Sequence, residues 1–304
     1  MFKLIAKAAS VEAMLDKQRR GADGIEWQLT DKRNVFVDKL VLPIYNVHTR
    51  LYDNEDICLD VAYNHYLGIG RHLKDFDEKN NYAYLIEALE LANWLGGTQG
   101  FMVNVVTHLY YGGFVQKPED IAKWIEGLLN VYPYCNILVE NSCIAHRSGR
   151  FKNMLDVNTV PNFVEELQEC LSSKYKDRLG SVLDICHLLS SYRTFMLLVK
   201  DEGMQVGEYC GLTSELNYLS DAFCRFSKTC KTIHFNNSKN LGVKKLNHGV
   251  VFENDSYDMT LLKHIITLFT KYTKDAKLVL EVREDNVDLA ENFEYMVKLL
   301  RSLG

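Results

Sequence analysis

The chain of 304 residues has no apolar stretch reaching the roughly 18 residues that a membrane-spanning helix needs. Its opening, MFKLIAKAASVEAMLDKQRRGADG, becomes charged too early for a secretory leader and reads as a first strand and helix. No membrane association is expected. The eight cysteines show no regular spacing and no C-x-x-C pair. That pattern excludes a disulfide framework and predicts free thiols in a reducing, intracellular compartment, cytoplasm or nucleus. Cys186, beside Asp184 and His187, is expected on the same strand face as Asp184 and within the core. Only four prolines occur, and no low-complexity linker separates a second domain. A net charge of −5 gives no overall pull toward polyanions, so any nucleic-acid surface must be local.

What is present is alternation. Short apolar runs read as strands at Lys3–Ala8, Gly24–Leu29, Lys39–His48, Phe101–His108, Asn136–Glu140, Gly180–Cys186, Lys231–Phe235 and Lys277–Val282. Segments of helical spacing lie between them: Val11–Arg20, Asn81–Leu95 (ending at Gly96-Gly97), Pro118–Leu129, Pro161–Leu171, Thr213–Phe226, Met259–Tyr272 and Val287–Leu303. Strands separated by helix-length connections pair in parallel. An α/β fold follows, a (β/α)8 TIM barrel spanning 1–304 as one domain, with insertions near 51–80 and 190–212. A barrel of this kind takes about 250 residues and carries its active site at the carboxyl ends of the strands.

Those ends carry metal-ligating side chains. LVLPIYNVH closes on His48, FMVNVVTH on His108, NILVE on Glu140, SVLD on Asp184 with His187 behind it, TIH on His234 and KLVLE on Glu281; His248 follows in the loop after His234. One such residue is ordinarily a hydrogen-bonded core or surface group. Burial of a carboxylate or imidazole is unfavourable unless it is paired or bound to a cation, and its repetition at one barrel rim predicts a convergent metal site. Five imidazoles and three carboxylates exceed one coordination shell and suit two or three ions, zinc or manganese rather than calcium.

Through these segments the chain resembles the endonuclease IV family of apurinic/apyrimidinic endonucleases. LVLPIYNVHTRLYD, VVTHLYYGG, ILVENSC, SVLDICHLLSSY, TIHFNNSKNLGVKKLNH and LVLEVRED are similar to that family's successive ligand segments. The resemblance implies a zinc-dependent monomer that hydrolyses the phosphodiester 5′ of abasic sites in double-stranded DNA with a metal-activated water. It implies one ion at His48, His108 and Glu140, and a second at Glu140, Asp184, His234 and Glu281, with Glu281 orienting or deprotonating the water. Two departures stand out. Leu246 occupies the place of an aspartate ligand to the third zinc, leaving His187 and His248, and Lys7 aligns with a strand-one histidine. The resemblance further implies DNA contacts from Lys32, Arg33, Asn34, Arg50, Tyr52, Lys239, Lys244 and Lys245, although any single one of these is ordinarily solvated surface. A mononuclear sugar isomerase or epimerase of the xylose isomerase-like barrels is the alternative. It would use Glu140, Asp184, His234 and Glu281 and has no need of His48, His108 or His248.

Overall fold

Valine, leucine and isoleucine runs flanked by helices are buried on both faces when their strands pair in parallel, and this chain is built of such runs. The computed structural model describes residues 3–30, 42–49, 51–52, 55–67, 78–109, 117–142, 155–201, 212–240, 246–284 and 289–303. In chain order the first half comprises β1 (Leu4–Ala8), α1 (Val11–Arg19), β2 (Gly24–Gln28), β3 (Ile44–His48), a small hairpin β4 (Leu51–Tyr52) and β5 (Glu55–Asp56), α2 (Leu59–Tyr66), α3 (Glu78–Gln99), β6 (Val103–His108) and α4 (Pro118–Val131). There follow β7 (Cys135–Glu140), α5 (Thr159–Cys170), α6 (Ser173–Lys176), β8 (Leu179–Asp184), α7 (Ile185–Asp201) and α8 (Leu212–Phe226). The chain continues through β9 (Cys230–Phe235), a second hairpin β10 (Asn237–Asn240) and β11 (Leu246–Val250), α9 (Ser256–Tyr272), β12 (Lys277–Leu280) and α10 (Glu291–Leu303).

Eight strands close into a barrel in the order β1-β12-β9-β8-β7-β6-β3-β2, every pair parallel. Strand alternation then divides the core. Val103, Val105, Ile137 and Val139 face outward and join the large cluster under the helices. Val106, Leu138 and Val182 point inward as a separate apolar layer. His108, Glu140 and Asp184 lie two residues beyond them on the same faces, at the carboxyl rim. The register aligns the rim, with His108 opposite Glu140 and Asp184 opposite His234.

Helix ends follow their local chemistry. Ser10 accepts from Ala13 N–H at the start of α1, Asp255 accepts from the Tyr257 and Asp258 N–H groups at the start of α9, and Pro118 opens α4. Three expectations are corrected. The helix expected to stop at Gly96-Gly97 runs on to Gln99. Gly96 is there for packing, since a Cβ would lie 2.7 Å from Tyr134 Cβ, and the chain reverses only at Gly100, with φ +75. Strand β8 ends at Asp184, so Cys186 and His187 lie in the first turn of α7 and Cys186 shares no strand face with Asp184. Residues 190–201 continue that same helix, which stands in addition to α8 between β8 and β9. His248 stands on a hairpin strand opposite Ser238, not in a loop. Six cysteines among the described residues are free thiols, Cys186 buried among them. No helix among the described residues is long and apolar enough to cross a membrane.

Candidate metal centre

Six of the eight expected ligands meet at the carboxyl rim. His48, His108, Glu140, Asp184 and His234 are buried, and Glu281, just past the end of β12, is partly exposed. Glu140 is the hub. Its Oε2 lies 3.1 Å from His48 Nε2 and 3.5 Å from His108 Nε2, and its Oε1 lies 3.0 Å from His234 Nδ1. His234 Nδ1 also lies 3.0 Å from Glu281 Oε2 and 3.6 Å from Asp184 Oδ2. Three groups could hold an ion, with donor atoms in each within 4.8 Å of one another: Glu26, His48 and His234, and two joined at Glu140, namely His48, His108 and Glu140, and Glu140, Asp184, His234 and Glu281. His187 borders the latter two, its Nδ1 lying 3.6 Å from Glu140 Oε1 and 3.9 Å from Asp184 Oδ2.

The donor chemistry suits cations. A backbone carbonyl can only accept, so the 2.9 Å contact of His48 Nδ1 with Thr49 O places the ring proton on Nδ1 and turns the Nε2 lone pair toward Glu140. Two acceptors then face each other at 3.1 Å, an arrangement that a proton or a metal ion must bridge. On His234, three carboxylates converge on one ring nitrogen, more acceptors than a single N–H can serve. The protein meets this charge with protons. Burial opposes ionised His234, yet Glu140, Glu26 and Glu281 outweigh it and hold the imidazolium well above the usual histidine range. Burial likewise opposes Glu140 as a carboxylate, and His234 and His108 reverse that and hold its carboxyl pKa well below the usual range. A zinc or manganese ion would replace these protons with a fixed charge.

Two residues at the centre were not chosen from the sequence. Glu26, fully buried on β2, lies 3.0 Å from His234 Nε2. Lys7 on β1 lies 2.5 Å from Glu281 Oε1 and 3.8 Å from Glu26 Oε1. Burial disfavours its ammonium, but Glu281, Glu26 and Glu140 prevail and raise it above an ordinary lysine. The available signal was a polar residue interrupting a buried apolar strand on the lumenal face, as in GIEWQ and LIAKA. Asparagines were missed for the same reason. Asn141 clamps β7 to β8, donating to Asp184 O and accepting from Asp184 N–H, while its carbonyl receives His187 Nδ1–H at 2.6 Å. Asn236 accepts from Cys186 N–H and donates to Glu281 O. Asp184 caps α7 as well, its Oδ1 accepting from His187 N–H at 2.8 Å.

The remaining expected residues are not gathered here. His248 is placed by its backbone in β11, and its side chain, like those of Leu246 and Tyr52, lies outside the described residues. Lys32, Arg33, Asn34, Arg50, Lys244 and Lys245 lie outside the described residues altogether. Lys239 is described and pairs with Glu253 on the hairpin.

No family model matches the chain, and no curated protein matches it in sequence. Among solved structures it is similar to a xylose isomerase domain containing protein from Salmonella typhimurium LT2, with 12% identity, 99% of this chain and 96% of the other covered, and a TM-score of 0.52. It also aligns with a psychrophilic glycoside hydrolase family 10 endo-β-1,4-xylanase at 10% identity over 96% and 91% of the two chains, with a TM-score of 0.31. The closed sheet of eight parallel strands and the likeness to the Salmonella protein together establish the fold as a TIM barrel.

Proposed function

We propose that this chain is a metal-dependent phosphodiesterase that cuts duplex DNA on the 5′ side of abasic sites. The observation that carries the reading is the joining of two ligand groups through Glu140. His48, His108 and Glu140 would hold one zinc or manganese ion, and Glu140, Asp184, His234 and Glu281 a second. When bound, the pair supplies Lewis acidity to the phosphoryl oxygens and lowers the pKa of water. The protein's own groups do the rest. Glu281 has the most exposed side chain of the six, at 16%, which suits it to take the proton of the attacking water. Lys7 holds its Oε1. Because the other ligands are recessed, the abasic nucleotide has to turn out of the helix to reach them. Phosphate contacts would come from Lys32, Arg33, Asn34, Arg50, Lys244 and Lys245, with Tyr52 stacking nearby.

The test is a duplex bearing a tetrahydrofuran abasic analogue, incubated with zinc- or manganese-loaded protein. A single incision 5′ of the analogue is expected, and a duplex left intact after hours refutes the reading. A second reading, a mononuclear sugar isomerase, draws on Glu140, Asp184, His234 and Glu281, which suffice for one ion, and on the likeness to the Salmonella barrel. One metal per chain together with turnover of a keto-sugar would establish it. The nearness of His48 and His108 to Glu140 favours the nuclease, since a mononuclear site has no use for them.

A further inference from the structure

Across the barrel lumen runs a chain of hydrogen-bonded side chains that leads to Glu26, whose carboxylate also stands with His48 and His234 in a group of donor atoms within 4.8 Å of one another. Asn136 Nδ2 donates to Asn104 Oδ1 at 2.9 Å, Asn104 Nδ2 to Asn46 Oδ1 at 2.7 Å, and Asn46 Nδ2 to Glu26 Oε2 at 2.8 Å. These residues are register partners on β7, β6, β3 and β2, so the ladder follows the sheet at one level of the barrel. It ends on His234, whose Nε2 lies 3.0 Å from the same Glu26 oxygen. The other Glu26 oxygen accepts no hydrogen bond among the described residues and faces Lys7 Nζ at 3.8 Å. Asparagine is poorly placed inside a barrel unless its amide is satisfied, and three in succession fix a direction: every amide donates toward Glu26.

We infer that Glu26 is a positioning residue for His234: it accepts a hydrogen bond from Nε2–H, commits Nδ1 to the cation held with Glu140, Asp184 and Glu281, and is itself held by the Asn136–Asn104–Asn46 ladder. This rests on the metal reading above. The ring geometry supports it. The two nitrogens of an imidazole diverge, so the Glu26 carboxylate and the three carboxylates at Nδ1 lie at opposite ends of the ring and cannot share one ion through it. The Glu26 oxygen facing Nε2 already accepts from Asn46, as suits an outer partner better than a ligand. Carboxylates hydrogen-bonded to the far nitrogen of a ligating histidine fix its tautomer and raise its basicity, and their loss lowers metal affinity by about 10–100-fold.

The test uses the full chain and zinc alone. In zinc-loaded wild-type protein labelled with 15N-histidine, His234 is expected to carry its proton on Nε2 and its metal-shifted resonance on Nδ1. Zinc competition with a chromophoric chelator should show E26Q weakened about 10–100-fold at one site and unchanged at the other. N46A, which removes the donor from the same oxygen, should fall in the same direction. Metal-shifted Nε2 in the wild type overturns the inference, as does wild-type affinity at both sites in E26Q. So does X-ray absorption of an E26Q protein that has lost an oxygen ligand, which would make Glu26 a ligand. The spectrum of the wild type decides the matter even where a variant fails to fold. A wild type that binds no zinc sinks the metal reading itself, whereas two bound zincs with the wrong tautomer sink only the role of Glu26.

Discussion

Glu140 belongs to two ligand groups and Asp184 to one, so removing their charges must have different consequences for metal-linked stability. A cation that binds only the folded chain stabilises it by about 2.7 kcal/mol at a free concentration one hundred times its Kd. For 304 residues the entropy of unfolding near Tm is on the order of 0.6 kcal/mol per kelvin. Each filled group therefore raises Tm by about 4 °C, and two by about 8 °C. Differential scanning calorimetry of chelator-stripped and zinc-loaded protein reads this directly. The near-isosteric variants D184N and E140Q are each compared with their own stripped form, which removes changes in the metal-free barrel. D184N should keep about half of the wild-type rise and E140Q almost none. Equal rises in the two variants would show that Glu140 is not shared. A full wild-type rise in E140Q would show that the buried cluster is an ordinary polar core.

The hairpin gives a second test. Gly249 has φ +77, and a Cβ there would lie 2.9 Å from Glu281 O and 3.0 Å from Arg283 N. G249A should therefore destabilise by the roughly 1–2 kcal/mol of a left-handed non-glycine residue plus the clash, and should weaken zinc at the Glu281 group alone, as read by chelator competition. E281Q should slow cleavage of the abasic duplex by about 10²-fold or more in a single-turnover assay, and parental speed would remove Glu281 from water activation. Asp16 tests electrostatics far from the site. The Ala290 N–H, followed by Arg19 and Arg20, holds its carboxyl below the ordinary value of 3.8. A depressed acid stabilises above its unfolded value and loses that contribution as pH falls through its folded one. Urea unfolding of D16N should thus show a deficit of roughly 2 kcal/mol at pH 7 that shrinks only as pH falls below 3.8.

The strand ends were readable because parallel, doubly covered strands leave a two-residue period and little else. His108, Glu140, Asp184 and His234 each terminate such a run, and a closed sheet can gather run ends only at a rim. Lys7 and Glu26 lie on the same lumenal faces but inside their strands, where a charged residue gives no hint of its partner 274 or 208 positions away. The asparagine ladder was hidden differently. Asn46, Asn104 and Asn136 precede ligands by two or four residues and so share their faces, but only the register makes them neighbours. Gly96 was misread because a glycine that admits Tyr134 looks the same in sequence as one that ends a helix. The boundary after Asp184 was misread because a capping aspartate can also serve as the last residue of a strand.

The balance of charge at the rim bears on the choice between the two chemistries. With Glu26, Glu140, Asp184 and Glu281 as carboxylates and Lys7 as the one ammonium among the described residues in contact with them, the site is three negative charges in excess when its histidines are neutral. One divalent cation leaves a net negative charge, which would repel a phosphodiester at short range and better suits a neutral sugar. Two leave a net positive charge, opposite to the single negative charge of the scissile phosphate. Lys7 is decisive here, because without it two cations would only neutralise the acids. A strand-one histidine, neutral while bound to metal, would not supply that charge, so the lysine at position 7 fits a site that works with two ions and keeps a surplus for an anionic substrate.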